Sequence, residues 1–502
     1  MSTTYEFPTH FGSFIDGQWQ PPVGTMLPVV NPATETQIAE VAESDAAQVA
    51  QAVAAARRAH ALGEWRHMPV AQRQKLFRRI AELTLQHLHE LAWLESLNTG
   101  LPLWYVRDGQ MPRVARNFEF FADWMSQNVE KAGIQDGAYL RYVVREPAGV
   151  AALISPWNAP LALASTKIAA ALAFGNCCVI KTAETTPLAV SRFMDLLQEA
   201  GLPPGVANLV HGRGHTTGDA LVRHPDVRVV SFTGGTETGR AIATAAGPGL
   251  KRVDLELGGK SANIVTASAN LDAALDGALA GIFSNNGQQC FAGSRILLDR
   301  RIAQNFMDAF VQRARRIRVG DPLDDHTDIG PLANAAHHAR VLEHVRQAVA
   351  DGAQLLTGGD RPAHLQRGYY LAPTALLTPH NRLSICQREV FGPVATVEVF
   401  DDFEEAIHIA NESDFGLVAY VWTQDLAQSL LAAQRLEAGV VLTNTNMTLD
   451  TRFPFGGYKQ SGVGREGIDG MRHFYTEEKT VTVALRTAPV VRLGVEPAVP
   501  GV

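Results

Sequence analysis

Along this 502-residue chain the spacing of apolar positions changes character as the text proceeds. From 46 to 61 the residues are alanines with interspersed arginines, and from 70 to 99 apolar side chains return at helical spacing. The first hundred residues are therefore expected to be mainly helical. The runs then shorten. "GVAALISPWN", "NCCVIKTAE", "VANLVHG" and "VRVVSFTGG" are aliphatic stretches that end in polar or glycine-containing text, each followed by a helix-like segment. This is the rhythm of βαβ units, and continuous apolar strands joined by helical crossovers require a parallel sheet covered on both faces. Ligands of such sheets bind beyond the carboxyl ends of the strands, where Asn158, Lys181, Glu184 and the loop 234–239 fall.

A second α/β stretch is expected from about 261 to 439, with helices over 302–318 and 335–350. "AYLRYVVREP" and "EKTVTVAL" alternate in the manner of strands, away from either core, and are expected to form an added arm. The final "APVVRLGVEPAVPGV" predicts no element, and the chain has no internal repeat.

Composition narrows the class. A chain of 502 residues exceeds one core, and with 46% hydrophobic and 19% charged residues it is expected to fold compactly into two or three domains. Its formal charge of -7 and the lack of a basic stripe argue against nucleic acid. Cys177, Cys178, Cys290 and Cys386 form no CxxC pair and no disulfide framework, so a reducing, cytoplasmic setting is expected. The start of the chain lacks a secretory signal, and the most apolar stretch, 161–180, carries Lys167 and Asn176, which disfavours a membrane span. "HELAW" has Trp93 where a zinc helix needs its second histidine, and His337 and His338 diverge on a helix; no metal site is expected.

Candidate chemistry centres on "SNNGQQCFAGSR". Cys290 follows an expected helix, Leu271–Phe283, through a polar run, a context that suits a loop nucleophile or a core cysteine. Cys177 and Cys178, inside an aliphatic run, read as structural. "LELGGK" sets Glu256 between leucines ahead of Gly258 and Gly259, either as salt-bridged scaffold or as a base of raised basicity. Asn158 in "SPWN" is either turn material or a donor to an oxyanion.

Taken together, "PWN", "FTGGTETG", "LELGGK", "SNNGQQCFAGSR", "REVFGPV" and "PFGGYKQSGVGREG" resemble, in order and spacing, the NAD(P)-dependent aldehyde dehydrogenase superfamily over about 14–485. The resemblance implies an α/β fold with a Rossmann-type cofactor domain (1–133 and 149–257), an α/β catalytic domain (258–451), a small β oligomerisation arm (134–148 and 470–490) and a tail (491–502). It also implies a homodimer or homotetramer. In that family's chemistry Cys290 would be the nucleophile, Asn158 and the Cys290 N–H the oxyanion donors, Glu256 the base, and Glu466 a second carboxylate on the proton path. The cofactor would be NAD, held by Trp157, Lys181, Glu184, Gly234, Gly235, Glu389 and Phe391. Only Gly234 and Gly239 fit GxGxxG, and Gly235 replaces a more usual serine. Glu184 would repel a 2′-phosphate, which favours NAD over NADP.

Arg113 and Arg452 stand where dehydrogenases of muconate-type semialdehydes carry a pair of arginines, although each also reads as a solvated or bracing charge. As a clamp they would select a small aldehyde bearing a distal carboxylate, of 2-hydroxymuconate, carboxymethyl-hydroxymuconate or 2-aminomuconate type, from aromatic catabolism. The alternative is an apolar or aromatic aldehyde held by Phe291, Trp157, Phe121 and Phe455. A coenzyme A-dependent relative would not need Glu256, and a non-catalytic scaffold protein would not need Cys290, Glu256 and Asn158 together.

Overall fold

A computed structural model describes residues 4–487 except 136 and 447, together with 490, 493 and 494. Most of the proposed tail lies outside the described residues. Two large sheets carry the chain. The first has eight strands, in the order Gly462–Val463, Arg252–Glu256, Val227–Thr233, Val150–Ile154, Cys177–Lys181, Ala207–Val210, Phe14–Ile15 and Gln18–Trp19. Its five central strands are parallel and its edges antiparallel. Val150–Ile154 and Cys177–Lys181 are buried at every position, as strands covered on both faces by helices must be. Chain order reverses on either side of Val150–Ile154, which opens a crevice at the carboxyl ends of that strand and Val227–Thr233.

The second sheet runs Gln354–Thr357, Thr374–Leu377, Val394–Phe400, Arg295–Asp299, Ala262–Val265, Val418–Trp422 and Val440–Thr443. All its pairings are parallel except that of Gln354–Thr357. The arm is a separate three-stranded sheet in which Tyr139–Pro147 pairs along its full length with Thr476–Ala484, and Ala132–Gln135 lines its other side.

The expectation of a mainly helical first hundred residues needs correction. Helices Ala46–Leu62, Val70–Gln86 and Leu88–Thr99 form, but five strands precede them, and the helical text 70–99 is interrupted at His87. Met26–Asn31 and Thr36–Ala42 pair as a hairpin joined by His10–Phe11, while Phe14–Ile15 and Gln18–Trp19 extend the eight-stranded sheet. Two-residue strands are too short to show a period, so tertiary pairing alone defines them. The helix expected over 302–318 is shorter, Ala303–Ala314. Helices Leu271–Phe283 and Ala335–Ala350 form over the expected residues, each with an asparagine N-cap.

Candidate active site

The polar run before Cys290 is a left-handed turn. Asn285, Asn286 and Gly287 have φ of 54°, 55° and 71°, a conformation that asparagine and glycine tolerate best. Their side chains fasten the turn. Asn286 Nδ2 donates to the carbonyls of Gly100 (2.8 Å) and Pro331 (2.9 Å), and Gly330 N–H donates back to Asn286 Oδ1 at 2.8 Å. Asn285 Nδ2 donates to the carbonyls of Asn158 and Gln288, and Gln110 Nε2 donates to Asn285 Oδ1 at 2.9 Å. The turn therefore delivers Cys290 to the crevice on a rigid support, and the residue stays partly accessible while the other three cysteines are buried.

The Cys290 thiol receives the backbone N–H groups of Cys290 and Phe291, which favour its thiolate. Burial outweighs them, and with the Glu389 and Glu256 carboxylates nearby it pushes the thiol up to about 12. Asn158 sits past the end of Val150–Ile154, and its Nδ2 donates to the Gln288 carbonyl at 2.8 Å. An amide nitrogen carries two hydrogens, so one donor remains beside the thiol's loop.

Glu256 closes strand Arg252–Glu256 and is only 4% exposed, with neither carboxylate oxygen hydrogen-bonded among the described residues. Burial, reinforced by Glu466 and Asp254, holds it well above the usual carboxylate range against the pull of Lys167 and Arg465. Glu466 reaches the same pocket from the loop after Gly462–Val463. Its Oε1 accepts from Lys167 Nζ at 2.9 Å, and the same ammonium donates to Ser231 Oγ at 2.9 Å. Burial opposes the Lys167 charge, but Glu466 and Asp254 more than offset it and its pKa rises.

At the other side of the crevice the rings of Trp157, His337 and Phe391 pack at steep angles, with centroids 5.0 Å apart for Trp157–His337 and 5.2 Å, edge to face, for Trp157–Phe391. The His337 ring bonds the Phe391 carbonyl through Nε2 at 2.7 Å, and burial lowers its pKa to about 4, so it is neutral. It thereby fixes Phe391, whose φ of 58° is strained for a bulky residue. Glu389 accepts from Gly259 N–H at 3.1 Å, and burial raises it to about 7. Gly258 is needed there because a Cβ would overlap the Glu389 carboxylate.

Residues at the ends of Cys177–Lys181 and Val227–Thr233 fit a dinucleotide. Gly235 caps helix Thr236–Ala246 with open space about its missing Cβ, and Thr236 Oγ1 is buried without a partner in the first turn. Such a helix start suits a phosphate. Gly234 N–H is already taken by the Glu256 carbonyl at 3.0 Å. Lys181 Nζ is buried 3.5 Å from Glu184 Oε2, which is one-third exposed, as a ribose-facing pair would be.

The two arginines part company. Arg113, on helix Met111–Met125, is desolvated enough to lower its pKa, against the raising effect of Glu466, Cys290 and Tyr105. Arg452 is surface-exposed and binds Asp450 through Nε at 3.0 Å and a terminal nitrogen at 2.5 Å. Phe291 and Phe455 stand edge to face at 6.5 Å and pack with Cys290 against Leu417, Val418 and Tyr420. Phe121 is instead a core residue, 1% exposed. Lys167, Asp254 and His337 escaped the sequence reading of the site. Lys167 had a signal, the one charged residue of a helix that is apolar but for Ser165 and Thr166; the other two had none locally.

A model of the Aldehyde dehydrogenase family matches residues 19–481. The 5-carboxymethyl-2-hydroxymuconate semialdehyde dehydrogenase of Escherichia coli is 45% identical, covering 87% of this chain and 93% of that protein. The betaine aldehyde dehydrogenase of Bacillus subtilis is 42% identical over 93% of this chain and 96% of its own. Among solved structures, an NAD+ complex of an aldehyde dehydrogenase from Bacillus cereus superposes with a TM-score of 0.92 at 39% identity, covering 95% of this chain and 97% of the other.

Proposed function

The chain belongs to the aldehyde dehydrogenase family, and on that premise we propose that it oxidises a carboxylate-bearing semialdehyde to the acid with NAD, through a thiohemiacetal and a thioester on Cys290. The observation that carries this reading is a partly accessible cysteine, Cys290, whose thiol feels the charge of a buried carboxylate, Glu256, that has no hydrogen-bond partner among the described residues. A thiol raised to about 12 is protonated at neutral pH, so a base must take its proton before it attacks the carbonyl. Glu256, held above the usual carboxylate range, is matched to that task and later to deprotonating water. Asn158 Nδ2 and the Cys290 N–H stabilise the alkoxide, and loss of one such donor typically costs about 100- to 1000-fold in rate. NAD, when bound, supplies the hydride acceptor that converts the adduct to a thioester. Lys167 and Glu466 form the buried pair to which Glu256 is electrostatically tied as the acid is released.

Trp157, Lys181, Glu184, Gly234, Gly235, Glu389 and Phe391 hold the cofactor in this reading. Arg113 meets the distal carboxylate beside the reacting thiol, and Arg452 completes the clamp by exchanging Asp450 for substrate. The E. coli relative, named for a carboxymethyl-hydroxymuconate semialdehyde, supports a muconate-type substrate. A second reading, an apolar or aromatic aldehyde, draws on the Phe291–Phe455 pair. The domains follow the two sheets, and the arm, with Ile134 and Val483 exposed, joins subunits into a homodimer or homotetramer. No helix among the described residues is long and apolar enough to cross a membrane. The test is an aldehyde panel with and without a distal carboxylate, scored by NADH formation and by mass spectrometry of trapped Cys290. A protein with Cys290→Ala that still turns over would end this account.

A further inference from the structure

Asp254 and Glu256 alternate on one strand and so project from the same face of the sheet. Ser231 lies directly opposite Asp254 on the neighbouring parallel strand. Its hydroxyl, which accepts from Lys167 Nζ at 2.9 Å, is 3.4 Å from Asp254 Oδ2. Asp254 is 4% exposed and its Oδ1 has no hydrogen-bond partner among the described residues. Room for that oxygen exists because position 464 is glycine, where a Cβ would overlap it. The groups that bear on Asp254 are Lys167 from helix Pro160–Ala173, Ser231, Glu256 on its own strand, Glu466 and Arg465 from the loop after Gly462–Val463, and the Tyr475 phenol. Three carboxylates, Asp254, Glu256 and Glu466, thus surround one buried ammonium, with Arg465 at the margin. The reaction as read above uses Glu256 and Glu466 but gives Asp254 no part.

Resting on that reading, we propose that Asp254 is a positioning residue whose carboxylate, linked through Ser231 to Lys167, sets how readily Glu256 holds and releases its proton. An ionised Asp254 on the same face of the strand raises the proton affinity of Glu256. Asp254 itself is pushed up by burial, with Lys167 acting in the opposite direction. The charge on Asp254, two residues away on the same face, therefore bears on how tightly Glu256 holds its proton.

The test is the pH dependence of acyl-enzyme hydrolysis, measured in single turnovers by rapid quench and mass spectrometry of Cys290, for the full chain and its Asp254→Asn variant. Removing the neighbouring charge lets Glu256 stay ionised further into acid, so the acidic limb moves to lower pH by about one unit, with thioester formation retained. A limb that superposes on the parent's, whatever happens to thermal stability, overturns the proposal. If Asp254→Asn does not fold, Ser231→Ala weakens the same link; its limb moves in the same direction by less, and an unmoved limb again overturns it. Failure of the parent protein to form any acyl-enzyme ends the functional reading itself and takes this inference with it.

Discussion

Glu256 rests against Gly456: a Cβ on that glycine would stand 2.8 Å from Glu256 Oε1. The loop "PFGG" thus forms one wall of the base's pocket, and the wall is bare because it must admit a carboxylate. Gly456 also has φ of 150°, which side chains rarely adopt. Gly456→Ala is therefore expected to move the base and slow thioester hydrolysis by about 10-fold or more, since small misplacements at a reacting centre are costly. Quenched-flow mass spectrometry should find the acylated Cys290 accumulating.

The thiol's neighbours predict its reactivity before any substrate binds. With the thiol at about 12 under burial and the Glu389 and Glu256 charges, alkylation of Cys290 by iodoacetamide should climb steadily from pH 7 to pH 10 without a plateau. Glu389→Gln removes one raising charge and is expected to speed alkylation at pH 8 several-fold, by about 3- to 10-fold. Peptide mapping should show Cys177, Cys178 and Cys386 unmodified, because they are buried.

Arg113 and Arg452 should differ in effect. Arg113→Ala removes a desolvated guanidinium, and loss of a charge-assisted bond of about 2 to 3 kcal/mol predicts a KM for the carboxylate semialdehyde raised by about 30- to 150-fold, with an uncharged aldehyde little changed. Arg452 must first surrender Asp450, so Arg452→Ala is expected to raise the same KM by a smaller factor. Steady-state kinetics with both aldehydes reads the difference.

Arg295 predicts a loss of stability. It is buried and donates to the carbonyls of Lys260, Ile409 and Ala410 and to Asn381 Oδ1, tying the strand after the nucleophile loop to the C-terminal end of helix Phe403–Asn411. Arg295→Met strands those acceptors, at a cost of about 1 to 3 kcal/mol each when left unsatisfied. The melting temperature should fall by several degrees, whatever happens at Cys290.

How much of this was legible in the text depends on range. The βαβ rhythm placed the crevice because each strand announces itself in four to seven consecutive residues, and Cys290, Glu256 and Asn158 fall in compact motifs. Lys167 and Glu466 meet across 299 positions, and no local pattern anticipates a hydrogen bond of that span. Asp254 stands two residues before Glu256 in the text, yet its company, Ser231 brought alongside by the sheet and Lys167 and Glu466 from elsewhere, is assembled only by the fold. Arg452 went the other way: its motif suggests a substrate contact, while its nearest acid lies two residues upstream in plain sight.

The left-handed turn at 285–287 carries one more implication. Such backbone is unfavourable for residues other than glycine, roughly 1 to 2 kcal/mol each, and here its compensation comes from Gly100, Pro331 and Gly330, far off along the chain. Until those distant segments arrive, only the local bonds between Asn285 and Gln288 hold the loop in shape. A nascent or damaged chain therefore carries an ordinary cysteine, and its chemical weapon is loaded only when the whole molecule has come together.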